Sequence, residues 1–201
     1  MPDDQLSRRR FLTGVVAGSA TLGALAVTHS VLPWGPFSLT DDRRRLAAPQ
    51  QLPVNRTARQ AGVTSAATDA SWRLTLRNGS RAVALSAAQL TALPQRTEVL
   101  PIACVEGWTA DATWQGVRLA ELMMLVGAGA ADDLRLRSLQ QRGAFGVTTM
   151  PAQYAQDPLT LIALRVNGER LSLDHGYPAR VIAPGRPGVL QTKWLTEIEV
   201  V

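Results

Sequence analysis

The residue best suited to chemistry in this 201-residue sequence is its single cysteine, Cys104. It stands at the end of an apolar run and directly before a Glu-Gly-Trp turn, a junction where functional sites are often built. One cysteine cannot form an internal disulfide. Three interpretations therefore remain open: an inert buried side chain, a reactive thiol of a redox protein, or a metal ligand.

A zinc site made by the protein alone is not favoured, because structural zinc takes four Cys or His ligands. Besides Cys104 the sequence offers only the histidines His29 and His175. One thiolate suffices where a cofactor supplies most of the other ligands, and a soft sulfur donor suits a soft, sulfur-rich centre. The residue types thus allow a metal-bearing cofactor.

A second group of chemically suitable residues lies near the C-terminus. Lys193 is the only lysine beside 20 arginines, and Gly185 and Gly188 permit tight turns whose N–H groups face an anion. Arg180 adds a planar fork of donors. Residues of these types can bind an anion, and the alternatives are a solvated lysine, a surface arginine and, for His175, an ordinary turn residue.

The elements that position these residues predict a mixed α+β domain, mainly β, with few short helices. Alternation over 72–77 predicts a strand, Asn78-Gly79 a hairpin turn, and capping-box spacing at Ser86 a short helix that ends before Pro94. Further strands are predicted at 81–85, 99–104, 134–138, 146–150, 160–166, 179–183 and 194–201, and a helix at 117–126.

The residues just after Cys104 are predicted to form a polar loop. Glu106 and Asp111 carry no burial pattern there, so neither is assigned a catalytic role. Trp108 and Trp114 flank this loop and are expected to pack it, with substrate contact as the alternative.

The N-terminal segment is predicted to direct export. Residues 7–12, Ser-Arg-Arg-Arg-Phe-Leu, match the twin-arginine signal and precede a weakly hydrophobic run over 11–34. We therefore divide the chain into a twin-arginine signal or membrane anchor at 1–34, a flexible linker at 35–70 and a domain at 71–201. The expected location is periplasmic or cell-surface, with the translocase as partner; an ordinary transmembrane helix is the alternative.

The charge distribution does not favour nucleic-acid binding. The formal net charge is +5, but 8 of the 21 basic residues precede Ser71. The remaining 13 are nearly balanced by 11 acidic residues in the domain. Nucleic-acid binding usually requires a basic stripe on the folded domain, and none is predicted.

Two separated stretches resemble the sulfite oxidase family of molybdopterin-dependent oxidoreductases. Residues 101–122, PIACVEGWTADATWQGVRLAEL, resemble its molybdenum-ligand segment, and residues 174–200, DHGYPARVIAPGRPGVLQTKWLTEIEV, resemble its C-terminal signature. The resemblance implies a molybdopterin-binding domain of the sulfite oxidase type, in a short exported member of sulfoxide reductase character.

Several residue roles are implied by this resemblance. Cys104 would be the catalytic residue and the one protein ligand to molybdenum of a molybdenum–molybdopterin cofactor. The implied cofactor-binding residues are Ser138, His175, Arg180, Gln191, Thr192 and Lys193. Larger members add contacts from an N-terminal stretch, for which no counterpart is found before Ser71, so part of the pocket is expected to be open or closed by a partner.

The function implied is oxygen-atom or two-electron transfer on a small-molecule substrate by an exported oxidoreductase. No haem motif of the Cys-x-x-Cys-His type occurs, so a separate membrane haem or quinone-linked subunit is the expected electron-transfer partner. The alternative from another class is a cofactor-free exported binding or scaffolding module of the same fold.

Overall fold

Ten strands and five short α-helices make up the part of the chain that the computed structural model describes, residues 49–104 and 107–201. The strands are β1 (Arg73–Asn78), β2 (Arg81–Ser86), β3 (Arg96–Ala103), β4 (Thr109–Arg118), β5 (Leu134–Ser138), β6 (Val147–Met150), β7 (Leu161–Val166), β8 (Glu169–Arg170), β9 (Arg180–Ile182) and β10 (Leu195–Val200). The helices are α1 (Ala58–Ala61), α2 (Thr64–Thr68), α3 (Ala87–Ala92), α4 (Leu119–Met124) and α5 (Ala152–Ala155), and 3-10 turns occupy Pro49–Gln51, Leu173–His175 and Gly188–Leu190. The predicted mixed, mainly β class is confirmed, and within the described ranges no helix is long and apolar enough to cross a membrane.

The first sheet has the strand order β2-β1-β10-β5-β6. Its β1–β10 pair is parallel, with Thr75 opposite Glu197. The first and last strands along the chain therefore lie side by side in this sheet. The predicted hairpin is confirmed, with Asn78 opposite Arg81 across a turn in which Gly79 takes a φ of 53°. The predicted helix is also confirmed, because the Ser86 side chain caps α3.

The second sheet has the order β3-β4-β7-β8, and β9 also pairs with β7. Its long strand β4 occupies residues predicted to be a polar loop, so the loop prediction is wrong. The helix predicted at 117–126 is confirmed as α4, although it begins only at Leu119 because β4 extends to Arg118. Ala110, Ala112 and Trp114 alternate inward at 1%, 4% and 0% exposure. Two of these three inward side chains are alanines, so the apolar alternation of a strand is weak in the sequence.

Residues 49–70 pack against the domain and do not form the predicted flexible linker. Four of their side chains are buried: Leu52, Ala58, Val63 and Ala67. The last three form a small cluster with Trp194, and the Thr57 side chain caps α1 in a capping box. Helices of four and five residues are too short for a recognisable period, which is why the sequence pattern missed them. The predicted export signal at 1–34 and the first part of the predicted linker, 35–48, lie outside the described residues.

Candidate functional site

A cavity of about 290 Å³ opens beside the end of β3. Its wall contains all seven of the site residues that the sequence resemblance implied: Cys104, Ser138, His175, Arg180, Gln191, Thr192 and Lys193. These residues come from five parts of the chain, the end of β3, the end of β5, a 3-10 turn, β9 and the turn before β10. The fold therefore collects the predicted residues in one place, whatever their role toward a ligand.

Cys104 directly follows β3 in a tight turn. Its backbone N–H donates to the carbonyl of Trp108 at 2.8 Å, and the Gly107 N–H donates back to the Cys104 carbonyl at 3.0 Å. Gly107 has a φ of 89°, which favours glycine. The Cys104 side chain is 9% exposed, and its Sγ accepts a hydrogen bond from Asn55 Nδ2 at 2.9 Å. The thiol is thus held by local backbone geometry and contacted from a distant segment.

The turn that follows β9 approaches β3 very closely. A Cβ added at Gly188 would lie 2.8 Å from the carbonyl oxygen of Ala103, the residue before Cys104. Only glycine fits there, and it places the 3-10 turn Gly188–Leu190 in the cavity wall. The glycine at position 188 thus lets the C-terminal residues, which were considered for anion binding, lie next to the Cys104 thiol.

One wall of the cavity is formed by a segment that the sequence analysis missed, here called the N-terminal strap (residues 49–57). Its residues Leu52, Pro53, Asn55 and Arg56 line the cavity. The sequence showed no counterpart of the family's N-terminal stretch before Ser71, yet these four residues form part of the cavity wall. The one available indication was the polar Asn-Arg pair directly before the Thr57 capping box.

The strap is fastened by polar contacts to the C-terminal half of the chain. His175 Nε2 lies 3.1 Å from the Leu52 carbonyl oxygen, and Lys193 Nζ donates to the Arg56 carbonyl at 2.6 Å. Just beyond the strap, the Ala58 N–H donates to a carboxylate oxygen of Asp174 at 2.8 Å. Residues implied as cofactor contacts therefore also hold the cavity wall in place.

Arg180 is a buried cation in the cavity wall, only 4% exposed. Its guanidinium lies 5.1 Å from the ring centre of Trp114 and donates to the backbone carbonyls of His175 at 3.1 Å and Gln191 at 3.5 Å. Its Nε has no hydrogen-bond partner among the described residues. Burial lowers the pKa of Arg180 to about 9. A buried charge with an unused donor points to an anionic or acceptor-rich ligand.

The neighbouring titratable groups respond to the same cation. Burial, followed by repulsion from Arg180, lowers the pKa of Lys193 to about 7 and the pKa of His175 to about 4. His175 is therefore neutral near pH 7. No Asp or Glu of the described residues lines the cavity, so the charged side chains of its wall are cationic. The Asp174 carboxylate, which is not part of the lining, partly opposes the lowering of both pKa values.

Three further implied residues bond mainly to the protein. The Ser138 hydroxyl donates to the Lys193 carbonyl at 2.8 Å, and the Thr192 hydroxyl lies 3.0 Å from that of Thr148. The Gln191 amide nitrogen donates to two backbone carbonyls, while its buried Oε1 has no partner among the described residues. An unused acceptor thus stands in the same wall as the unused donor of Arg180.

The two tryptophans near Cys104 have different positions. Trp114 is fully buried, and its Nε1 donates to the Leu100 carbonyl at 3.2 Å, which confirms a packing role. Trp108 lines the cavity, as does the half-exposed Phe145. Among the described residues no three His, Cys, Asp or Glu side chains could hold a metal ion together.

The chain is similar to proteins of known family and structure. The sequence model described as "Oxidoreductase molybdopterin binding domain" matches residues 61–201. The chain is 35% identical to a nitrate reductase [NAD(P)H] of Hordeum vulgare over 103 residues, which cover 47% of this chain and 12% of that protein. It is 32% identical to sulfite oxidase of Arabidopsis thaliana over 113 residues, which cover 47% of this chain and 29% of that protein.

The chain thus spans less than a third of the length of these two relatives. Among solved structures it shares the fold of the sulfane dehydrogenase SoxCD from Paracoccus pantotrophus, with a TM-score of 0.57 and 22% identity. That likeness covers 65% of this chain and 38% of the other.

Proposed function

The chain belongs to the family of oxidoreductase molybdopterin-binding domains, and on this basis we propose that it catalyses redox chemistry outside the cytoplasm with Cys104 as the protein ligand of molybdenum. Molybdenum–molybdopterin is the cofactor that family membership implies, and when bound it supplies a metal centre for oxygen-atom or two-electron transfer. The observation that carries the proposal is that the only thiol of the chain shares one cavity with three cationic residues: Arg56, Arg180 and Lys193.

The residues present fit this cofactor. The cavity volume of about 290 Å³ is close to the lower end of the range, roughly 300–1,000 Å³, that holds small molecules and cofactors. Arg180 Nε and Gln191 Oε1 are buried without a hydrogen-bond partner among the described residues. A polar, amide-rich pterin offers acceptors and donors for such groups, and its phosphate offers an anion.

Different residues of the cavity wall would bind different parts of the cofactor. Arg180 and Lys193 would bind the phosphate, because they are a buried and a half-buried cation of the wall and have no ion pair within the described residues. The remaining implied contacts, which would face the pterin, are Ser138, His175, Gln191 and Thr192. Anion binding beside Lys193 would raise the pKa of that group and keep it protonated at neutral pH.

The residues of the chain would contribute to the reaction by orientation and by excluding water. Cys104 would fix the metal at the end of β3 and donate electron density from its sulfur. Trp108 and Phe145 line the cavity and would cover one side of a small substrate with apolar surface. Reduction of an S-oxide and oxidation of a small anion are the two reactions to be assayed.

Export and electron transfer complete the proposal. Export by the twin-arginine system is supported by the Arg8-Arg9-Arg10 run, since that system carries folded proteins and so permits cofactor insertion beforehand. A membrane haem or quinone-linked subunit would exchange electrons with the domain.

Molybdenum content of the purified, exported protein tests this function. We expect about one molybdenum per chain when cells are supplied with molybdate, and retention of this metal together with a pterin. Well-folded protein without molybdenum would instead support a cofactor-free binding module. Strong labelling of Cys104 by a thiol reagent in the native, loaded protein would favour a free-thiol redox protein.

The variant Cys104→Ser separates metal ligation from folding. We expect an intact fold and loss of oxidoreductase activity, because a hydroxyl is a poor ligand for a soft metal. Ala103→Ser is the matched control, since it adds the same hydroxyl at an exposed neighbouring position and should leave activity unchanged. Full activity of Cys104→Ser would exclude the ligand role.

A further inference from the structure

We propose that Asn55 is a positioning residue for the Cys104 thiolate: its amide N–H donates to Sγ and reduces the electron density that this sulfur gives to a bound metal. The inference rests on the proposed function, because it takes Cys104 as the metal ligand. Asn55 belongs to the N-terminal strap, where the sequence pattern predicted only a linker.

The contact itself is short and joins distant parts of the chain. Asn55 Nδ2 lies 2.9 Å from Cys104 Sγ, across 49 residues of sequence. When Cys104 is a thiolate, the opposite orientation of the amide would place its carbonyl oxygen against a negatively charged sulfur, and the two acceptors would repel each other. With a thiolate as acceptor the bond is charge-assisted, which makes it stronger than a bond between neutral groups.

The backbone on both sides of Asn55 is anchored. Three residues earlier the Leu52 carbonyl contacts His175 Nε2 at 3.1 Å, and one residue later the Arg56 carbonyl accepts from Lys193 Nζ at 2.6 Å. An amide held between two such contacts loses little further conformational freedom when it binds the sulfur. The structure therefore favours a fixed geometry at this contact.

The cavity offers a second, independent indication of a ligand beside the thiol. Arg180 lines the same cavity, is more than nine-tenths buried, and leaves its Nε without a partner among the described residues. Cys104 thus lines a cavity in which a buried donor is left for a ligand to bind. Asn55 acts on that site through the sulfur and has no need to touch the substrate.

A hydrogen bond to a ligating sulfur changes the electronic properties of its metal. The N–H group withdraws electron density from the thiolate, which weakens sulfur donation and stabilises the reduced metal. Loss of the bond should therefore lower the reduction potential of the metal. The same loss raises the energy of the sulfur lone pair, so sulfur-to-metal charge-transfer absorption should move to longer wavelength.

The test compares three variants of the full-length, molybdenum-loaded protein. Asn55→Leu keeps the approximate volume and removes the donor, whereas Asn55→Ala removes the donor and leaves space. Arg59→Ala is the control, because Arg59 is an exposed residue of the nearby helix α1 and lies outside the cavity. The readouts are molybdenum per chain, the midpoint potential from a spectroscopic redox titration, and the charge-transfer absorption.

We expect both Asn55 variants to retain molybdenum, with a lower midpoint potential and longer-wavelength absorption, while Arg59→Ala matches the unmodified protein. Full molybdenum loading with unchanged potential and absorption would overturn the inference and leave the proposed function intact. If Asn55→Leu loses its molybdenum, the midpoint potential of Asn55→Ala tests the inference in its place. Metal loss from both, with unchanged melting temperature, would make Asn55 a requirement for binding and overturn its role in tuning. Unmodified protein without molybdenum would refute the proposed function itself.

Discussion

The ammonium group of Lys193 donates to the carbonyl oxygen of Arg56 at 2.6 Å, although 137 residues separate the two in the sequence. The same ammonium donates to the Asp174 carbonyl at 2.9 Å and lies 4.5 Å from the ring centre of Trp194. The only lysine of the chain therefore connects the N-terminal strap to the 3-10 turn Leu173–His175. In doing so it closes one side of the cavity with two of its three N–H donors.

Replacement of this lysine should loosen the strap. Lys193→Met keeps the apolar stem and removes both donors, which leaves two carbonyls without their partner. We expect backbone amides around residues 50–58 to exchange with deuterium at least about tenfold faster, since about 1.4 kcal/mol of lost local stability gives that factor. Amides of β10 should remain protected.

The control for this measurement is Arg77→Met. Arg77 is a cation of the first sheet, with an ion pair to Glu197 at 2.9 Å, and it does not line the cavity. Exchange in the strap should be the same in Arg77→Met and in the unmodified protein. Equal exchange in Lys193→Met would show that the strap is held by its buried apolar residues alone.

Arg180 should matter far more for cofactor retention than for folding. In cofactor-free protein we expect Arg180→Leu to change the free energy of unfolding by less than about 2 kcal/mol. Removal of a buried, unpaired cation offsets the loss of its hydrogen bonds to the His175 and Gln191 carbonyls. In loaded protein the same change should lower retained molybdenum at least about tenfold, because the phosphate loses its buried fork of donors.

Arg186→Leu is the matched comparison for this variant. Arg186 is also 4% exposed, its Nη1 has no partner among the described residues, and burial lowers its pKa, yet it does not line the cavity. Its removal should leave molybdenum content unchanged, as found by elemental analysis. Equal metal loss in both variants would show that the effect comes from general destabilisation of the fold.

The stability of cofactor-free protein should fall on mild acidification because of His175. Burial and repulsion from Arg180 and Lys193 lower its pKa to about 4, although Asp174 partly opposes this. Between pH 6.5 and 4 the unfolded chain therefore binds a proton that the folded chain rejects. The free energy of unfolding should decrease as pH falls through this window, by at most about 1.4 kcal/mol per pH unit.

Urea unfolding at about pH 7, 6 and 5 measures this slope. His175→Gln removes the titrating ring and should flatten the dependence in that window. A slope of the same size in His175→Gln would assign it to other groups. The histidine His29 lies outside the described residues and remains in the variant, so the comparison isolates His175.

Close packing at Gly188 should control the position of the thiol. In Gly188→Ala the new methyl group would lie 2.8 Å from the Ala103 carbonyl oxygen and push on the end of β3. We expect a loss of about 1–3 kcal/mol in the free energy of unfolding, and reduced molybdenum content. Gly129→Ala is the control, since its nearest neighbour is a flexible Asp132 carboxylate at 3.4 Å. Equal thermal stability of the two variants would contradict this close contact.

The local structure of most strands and of two helices could be predicted from the sequence. Asn78-Gly79 and Ser86 specify a turn and a cap through bonds to near neighbours, so their structure depends little on the rest of the chain. Strand β4 could not be predicted in this way, because its inward residues Ala110 and Ala112 are small. Only the pairing of β4 with β3 and β7, and the burial of one face of that sheet, distinguish them from loop alanines.

The sequence by itself determined which residues could do chemistry, because Cys104 and Lys193 are unique of their kind and stand in recognisable stretches. Tertiary structure alone decided that they share one cavity, and that Asn55 contacts the sulfur. Contacts between residues 49 or 137 positions apart depend on how the strands and turns pack. No local pattern records such packing, because its energy arises only when the distant segments meet.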